Sequence, residues 1–335
     1  MMQIARYARR GCEELLATLR IAQVVGPIDA LATLRGKIEI QRMCRDGYQE
    51  PPARYKALMR KHEVMLRYYY ERYHEYFDSY DFAAPLPERG SELEGKVWVC
   101  WWQGIENAPE IVKACVESIR KAAGKHEVVV LNQENYRSYV DMPDWIIGKF
   151  EAGIISRTQF SDCLRFALLA EHGGLWMDAT VYCSAPLPDD FFSSELFTVA
   201  RSECDHMSVA AGGFTDFLLG CNVAGRRIFA SIRDAYYLYW QTNDMLIDYL
   251  TNDYMIVLLQ KLDEGHVGRA FAGIRPSNPH MGDLLIRLNE PYDESWWDSI
   301  KTDTFLFKLS WKVATERSFK GRETFYSRIV SGRLS

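Results

Sequence analysis

Phe160-Ser-Asp-Cys-Leu-Arg-Phe-Ala-Leu-Leu-Ala-Glu-His-Gly-Gly-Leu-Trp-Met-Asp-Ala-Thr180 is the stretch whose reading decides the fold. Ser161 suits a helix N-cap with Asp162 in the first turn, so a helix is expected from Ser161 to Glu171. His172-Gly173-Gly174 ends it, and the glycines let the backbone approach a neighbour closely. Leu175-Trp176-Met177 then reads as a short strand that delivers Asp178 at its C-terminal end. In an α/β sheet that edge is where ligands bind. Asp162 and Arg165 are three apart and share a helix face. An acid–base pair on a helix and a carboxylate on a strand tip therefore converge on one crevice. Read singly, Asp162–Arg165 is an ordinary intrahelical pair, worth little at a surface, and Asp178 is a turn residue. Their combination points to chemistry.

Upstream, Lys96-Val-Trp-Val-Cys-Trp-Trp102 is β-rich and apolar, like a buried strand. Trp101 and Trp102 are adjacent, so on a strand they face opposite ways and one packs inward. A helix is expected from Asn107 as cap to about Ala123, a strand over Glu127–Leu131 and a short helix over Pro143–Glu151. The order β-α-β-α-α-β predicts a mostly parallel sheet with helices on its faces. Downstream, strands are expected near Leu196–Ala200, Met207–Ala211 and Leu219–Val223. Helices follow near Arg226–Gln241 and Asp244–Leu262, then a β-like run over Thr304–Leu309. The first 90 residues read as helices broken at Gly26-Pro27 and at Glu50-Pro51-Pro52. In the longest, about Arg54 to Phe77, Leu66, Tyr69, Tyr70, Tyr73 and Phe77 keep the spacing of one face.

The chain has 335 residues, 40 Lys+Arg against 45 Asp+Glu, and a net charge of -5. That balance argues against a dedicated nucleic-acid binder. Residues 1–90 hold 15 basic and 12 acidic side chains, a net of +3, and the remainder 25 and 33, a net of -8. Eight cysteines include no C-x-x-C pair, so a zinc cluster and a dense disulfide scaffold are not expected. Charges interrupt every apolar run, leaving no signal-peptide core and no spanning segment. The expected location is the cytoplasm, with peripheral contact at the inner membrane face.

The pattern S-D-x-x-R-x-x-x-L-x-x-x-G-G-x-W-x-D-A-T over 161–180 resembles the core of the capsular polysaccharide synthesis family of glycosyltransferases, within the wider group bearing a glycine-rich DXD sugar-binding motif. Val97-Trp-Val-Cys-Trp-Trp-Gln-Gly104 resembles that family's first strand. Asn278-Pro279-His280 and Lys308-Leu-Ser-Trp-Lys312 are similar to its later elements, so the likeness spans roughly 95–312. The resemblance implies an α/β fold of GT-A type over residues 91–335: a nucleotide-sugar-binding mixed sheet flanked by helices. Residues 1–90 form a helical extension facing acceptor, partner or membrane. The implied activity is transfer of a hexose from a nucleotide sugar, uridine-linked by family habit, to a glycan or lipid-linked glycan acceptor, with retention. Asp162 matches the acid at the donor's ribose or sugar and Arg165 its basic partner. Asp178 matches the first Asp of DXD and the metal ligand, and Trp101 the platform for the base. Gly174, Ser310, Trp311 and Lys312 fall in donor-binding elements. Asp248, read as lying on a helix together with Tyr249 and Tyr254, is a candidate for positioning the acceptor hydroxyl.

A diphosphate leaving group needs a cation, and Mn2+ or Mg2+ prefers hard carboxylate oxygens. Here Thr180 stands where the second Asp of DXD would be. A hydroxyl is the weaker ligand, so the expectation is a metal held by Asp178, water and phosphates, with Lys312 adding charge. Three rivals stand beside the transferase: a nucleotide-sugar hydrolase, a catalytically silent nucleotide-sugar-binding subunit of a capsule assembly, and a membrane-associated helical adaptor built on residues 1–90.

Overall fold

The structure, a computed structural model, describes residues 2–88, 90–202 and 204–334. Three helices lead: α1 (Met2–Val25), α2 (Pro27–Met43) and α3 (Pro52–Ser79). Proline sits in the first turn of α2 and of α3, where its missing N–H costs nothing. There follow β1 (Val97–Cys100), α4 (Glu110–Ala122), β2 (Val128–Leu131), α5 (Asp144–Glu151), α6 (Arg157–His172), β3 (Gly174–Met177), β4 (Val181–Cys183), α7 (Asp190–Ser193), β5 (Phe197–Thr198) and β6 (Leu218–Cys221). The chain continues through α8 (Arg226–Thr242), α9 (Thr251–Leu262), α10 (Arg269–Ala272), α11 (Asp283–Ile286), α12 (Glu294–Ile300), β7 (Leu306–Lys308), β8 (Ser318–Phe319), β9 (Arg322–Glu323) and α13 (Phe325–Val330).

A five-stranded sheet runs in the order β2-β1-β3-β6-β5. β1 is parallel to β2 and β3, while β6 is antiparallel to β3 and to β5, so the sheet is mixed. β4 and β7 pair separately, antiparallel, with Val181 opposite Lys308. Alternation along the strands divides the core in two. Trp98, Trp176, Leu219 and Cys221 face a layer formed with α6, α8 and α9. Val97, Val99, Leu175, Met177 and Leu218 face α4, β7 and α13. Each fully buried aliphatic side chain contributes about 1.5–3 kcal/mol. Trp98 is buried and its indole donates to the Gly173 carbonyl at 2.9 Å, tying β1 to the end of α6.

The N-terminal helices join the first of these layers. Ala17, Ile21, Met65, Tyr68, Tyr69, Tyr73 and Phe77 belong to the same core cluster as Tyr239 and Tyr254. The Tyr69 hydroxyl meets Thr251 Oγ1 at 2.7 Å, and Asn243 donates to the Tyr73 hydroxyl at 2.7 Å. Lys61 Nζ lies 3.0 Å from Asp248 Oδ2 and donates to the Tyr254 hydroxyl at 2.8 Å. Gly36 permits that seat: a Cβ there would stand 2.5 Å from Lys61 Cβ. Tyr70, expected on the packed face of α3, is exposed, and Tyr68 is buried in its place.

Several sequence expectations shift for local reasons. α6 begins at Arg157, because Ser156 rather than Ser161 takes the cap and accepts from the Gln159 amide. α4 begins at Glu110. Pro109 holds Ala108 extended, and the Asn107 amide turns back to the Gln103 carbonyl instead of capping. Met207–Ala211, expected as a strand, is a series of turns. Asp205 Oδ1 accepts from the Met207 amide and Ser208 Oγ from the Ala210 amide, the side-chain competition that unmakes regular structure. α9 starts at Thr251 rather than 244. Asp248 therefore lies off the helix, in a turn where its carboxylate accepts from the Leu250 amide at 3.0 Å.

Candidate active site

Asp178 is the first residue past β3, and its amide donates to the Phe217 carbonyl at 2.9 Å. It is thus held at the C-terminal edge of the parallel strands, beside the start of β6. The Trp176 indole, two residues back on the strand, donates to Asp178 Oδ1 at 3.1 Å. Arg165 rises from α6 beneath it, with its guanidinium 5.2 Å above the centre of the Trp176 ring. Three carboxylates ring that guanidinium: Asp162 at 3.1 Å, Asp216 at 3.5 Å and Asp178 at 3.7 Å. Asn252 donates to Asp216 at 3.1 Å, and Ser208 donates to the neighbouring Asp253 at 2.6 Å.

Lys308 completes the cluster. Its Nζ meets Asp178 Oδ2 at 2.5 Å and lies 4.6 Å from the centre of the Phe217 ring. Three backbone anchors put it there. The turn from Asp178 to Val181 starts β4, and β4 pairs with β7. The Lys308 amide donates to the Met281 carbonyl at 2.7 Å. Asn278, buried and with φ +52, accepts from the Phe305 and Leu306 amides at 2.9 and 3.0 Å. Asn278-Pro279-His280 is therefore a seat for β7, and His280 pairs with Asp283 at 2.8 Å.

Past β7 the Leu309 amide still bonds the Thr180 carbonyl, at 2.8 Å. The chain then turns outward. Ser310 Oγ accepts from the Lys312 amide at 3.2 Å. Trp311, 47% exposed, meets the Trp101 ring edge-on at 5.8 Å and 87°. Lys312 Nζ lies 5.8 Å from the Trp311 ring centre. The Trp101 indole nitrogen is buried with no hydrogen-bond partner among the described residues. Trp102 packs the other way, against Phe150 and Phe160.

Electrostatics divide the acids. Burial pushes the Asp162 carboxyl up to about 8, reinforced by Asp216, Asp178 and Asp253 against the pull of Arg165. Burial, with Asp216 beside it, pushes Asp253 up to about 7. Burial would raise Asp178 too, but Lys308 and then Arg165 outweigh it and hold that carboxyl below its usual value. Burial alone would loosen the proton on Arg165; Asp162, Asp216 and Asp178 bind it more firmly instead. Near neutral pH the cluster therefore holds a charged Asp178 between two cations, beside an Asp162 that keeps its proton to much higher pH than an ordinary carboxyl.

Of the residues expected from sequence, the fold gathers Asp162, Arg165 and Asp178 in one cluster. It gathers Trp101, Ser310, Trp311 and Lys312 at the end of β1 beside it. Gly174 is not brought there. It opens β3, at the end away from Asp178, with φ +86 and no room for a side chain: a Cβ would stand 2.4 Å from the Lys96 carbonyl oxygen. Its place is to let β3 lie close to the chain entering β1. Asp248 joins Lys61 and Lys37, at 3.0 and 3.8 Å, and both it and Lys61 are buried. Lys308, Asp216 and Asp253 carry no local sequence signal of a place in the cluster. Lys308 falls within Lys308–Lys312, but only β4–β7 pairing brings it to Asp178. A cavity of about 600 Å3 lined by Lys113, Lys121, Tyr182 and Pro186 lies elsewhere, beside α4.

No helix among the described residues is long and apolar enough to cross a membrane. No curated protein and no solved structure matches the chain. A family model does, that of the capsular polysaccharide synthesis protein, over residues 48–329. The match takes in α3, the sheet, the Asp178 cluster and β7, and the chain is a member of the capsular polysaccharide synthesis protein family.

Proposed function

We propose that this chain is a glycosyltransferase of GT-A type that moves a sugar from a nucleotide-sugar donor to a glycan or lipid-linked glycan acceptor in capsule synthesis. The single observation that carries the reading is Asp178, charged and 30% exposed at the strand edge, between Lys308 and Arg165. A purely structural scaffold needs no gathering of four carboxylates and two cations at one edge. A leaving diphosphate and a charge-developing sugar both need such groups.

In this reading the donor base, uridine by the family resemblance, stacks at Trp101 and Trp311. The diphosphate lies toward Lys312 and the cluster, and the sugar hydroxyls meet Asp162 and Arg165. Asp162, with its carboxyl pushed up by burial, accepts from a hydroxyl and, when protonated, also donates to one. In a retaining same-face transfer the bond from the anomeric carbon to phosphate oxygen breaks as the bond to the acceptor oxygen forms. The acceptor proton passes to the leaving phosphate oxygen. The chain's own work is orientation and electrostatic stabilisation.

Mn2+ or Mg2+ would serve this chemistry, but the donor set does not fit a metal held by the protein. Asp178 has Oδ1 engaged by Trp176 and Oδ2 by Lys308. Thr180 offers a neutral hydroxyl, and among the described residues no three acidic, His or Cys side chains are arranged to hold a metal ion: the carboxylates of the cluster converge on Arg165 instead. No step here runs through a metal. The commitment of both Asp178 oxygens favours, as a second reading, a subunit that binds the donor without turning it over.

The test is a panel of nucleotide sugars, measured for binding by calorimetry and for turnover with and without glycan acceptor. Transfer to acceptor is expected, with loss of at least about a hundredfold in Asp178→Asn while that variant still unfolds cooperatively as a folded chain. Binding without turnover selects the silent subunit, and turnover indifferent to acceptor selects a hydrolase. Full turnover in Asp178→Asn sinks the site assignment.

A further inference from the structure

We infer that Lys308 is the resident cation of the phosphate site: its ammonium occupies the place at Asp178 where a divalent ion would sit, and donor binding needs no metal. The inference rests on the nucleotide-sugar reading above and adds to it the identity of the group that meets the diphosphate. Three observations carry it. First, Lys308 Nζ sits on Asp178 Oδ2 at 2.5 Å, the oxygen a metal would have to claim. Second, the lysine is built in. Its amide is fixed to Met281, its strand neighbours are fixed by Asn278, and its ammonium sits 4.6 Å from the Phe217 ring centre, a further attraction for a cation. Third, it remains accessible, with 28% of its side chain exposed. An ammonium has three N–H donors. One serves Asp178, and among the described residues no other side-chain acceptor takes the remaining two.

The substitution is chemically coherent. Thr180 in the second DXD place removes the carboxylate that would help hold a divalent ion. Lys308 supplies positive charge from the opposite strand at the same point. Asp178 then orients a cation that belongs to the chain, and the cation faces the phosphate oxygens. A lysine is an effective phosphate partner as a point charge. A divalent ion could enter only by displacing that ammonium from Asp178.

The experiment uses the full chain and UDP as probe, titrated calorimetrically in excess EDTA and in excess Mn2+, for wild type, Lys308→Met and Lys308→Arg. Wild type is expected to bind UDP equally, within about twofold, in both conditions. Lys308→Met should bind on the order of ten- to a hundredfold more weakly in EDTA, the value of one charge-assisted contact. It should regain affinity with Mn2+, because its Asp178 is then open to the ion. Lys308→Arg should keep binding in EDTA. Metal rescue and arginine retention are readouts that misfolding cannot produce. Wild-type binding that requires Mn2+, or Lys308→Met binding as tightly as wild type in EDTA, overturns the inference while leaving the transferase reading intact. No UDP or other nucleoside diphosphate bound in either condition overturns both.

Discussion

Lys61→Met separates a structural Asp248 from an acceptor-binding one. Lys61 and Asp248 have side chains only 1% and 3% exposed and meet at 3.0 Å. The variant keeps most of the lysine's stem and removes its charge. It leaves a buried carboxylate whose remaining cation, Lys37, stands 3.8 Å away. Breaking a buried ion pair on one side costs about 3–5 kcal/mol. Unfolding entropy is about 2.1 cal/mol/K per residue, or about 0.7 kcal/mol/K for 335 residues. The midpoint should therefore fall by about 4–7 °C, read by circular dichroism at neutral pH. Because the pair is buried, the fall should differ little between low and high salt. The double variant Lys61→Met/Asp248→Leu should recover much of the loss, since apolar replacements of buried pairs are often neutral. A midpoint within about 1 °C of wild type would refute the reasoning. So would an Asp248→Asn variant that keeps its midpoint yet loses transfer, because that result returns Asp248 to the acceptor.

Two further outcomes test the cluster itself. Asp162 and Asp253 have folded values of about 8 and about 7, above the ordinary carboxyl value of 3.8. A raised carboxyl favours the folded state while protonated, so its contribution is fully present below about pH 4 and is lost as pH climbs through 7 to 8. Thermal stability should decline over that window in wild type and less steeply in Asp162→Asn; a wild-type midpoint flat from pH 6 to 9 counts against the raised values. At the other end of the site, Trp101→Ala should weaken UDP by about 1–3 kcal/mol, the value of one stacked base, while leaving inorganic pyrophosphate binding unchanged. Equal weakening of both would mean that Trp101 shapes the fold of the crevice rather than holding the base.

Local patterns carried the fold a long way. Gly26-Pro27 separates α1 from α2 and Pro51-Pro52 opens α3, and the apolar run Lys96–Trp102 reads as the buried strand found as β1. Where expectation failed, a short-range competitor was responsible. Ser156 outbid Ser161 for the cap, Pro109 moved the start of α4, and Asp248 folded its own carboxylate onto the Leu250 amide ahead of α9. Such competitors are visible in the sequence, but their choice depends on what the rest of the chain buries. Asp248 is the clear instance. Its neighbours Tyr249 and Tyr254 suggested a sugar-facing helix, yet the partner that fixes it is Lys61, which lies across a helix packing that no local window contains.

The same limit explains which half of the cluster was legible. Asp162, Arg165 and Asp178 lie within seventeen consecutive residues, so helix periodicity and one strand were enough to bring them together. Lys308 is 130 positions from Asp178 and reaches it through a separate two-stranded pairing. Its alternation in Thr304–Leu309 says only that it faces away from Phe307. Lys312 was the natural choice from sequence because it ends the motif and carries the charge. Yet its ammonium lies over the Trp311 ring, and it is Lys308 that touches the acid. The departure at Thr180 was the one local hint. Where a carboxylate needed for a metal is missing, the proposed diphosphate site would take its cation from elsewhere in the chain, and β7, opposite Val181, is where Lys308 stands.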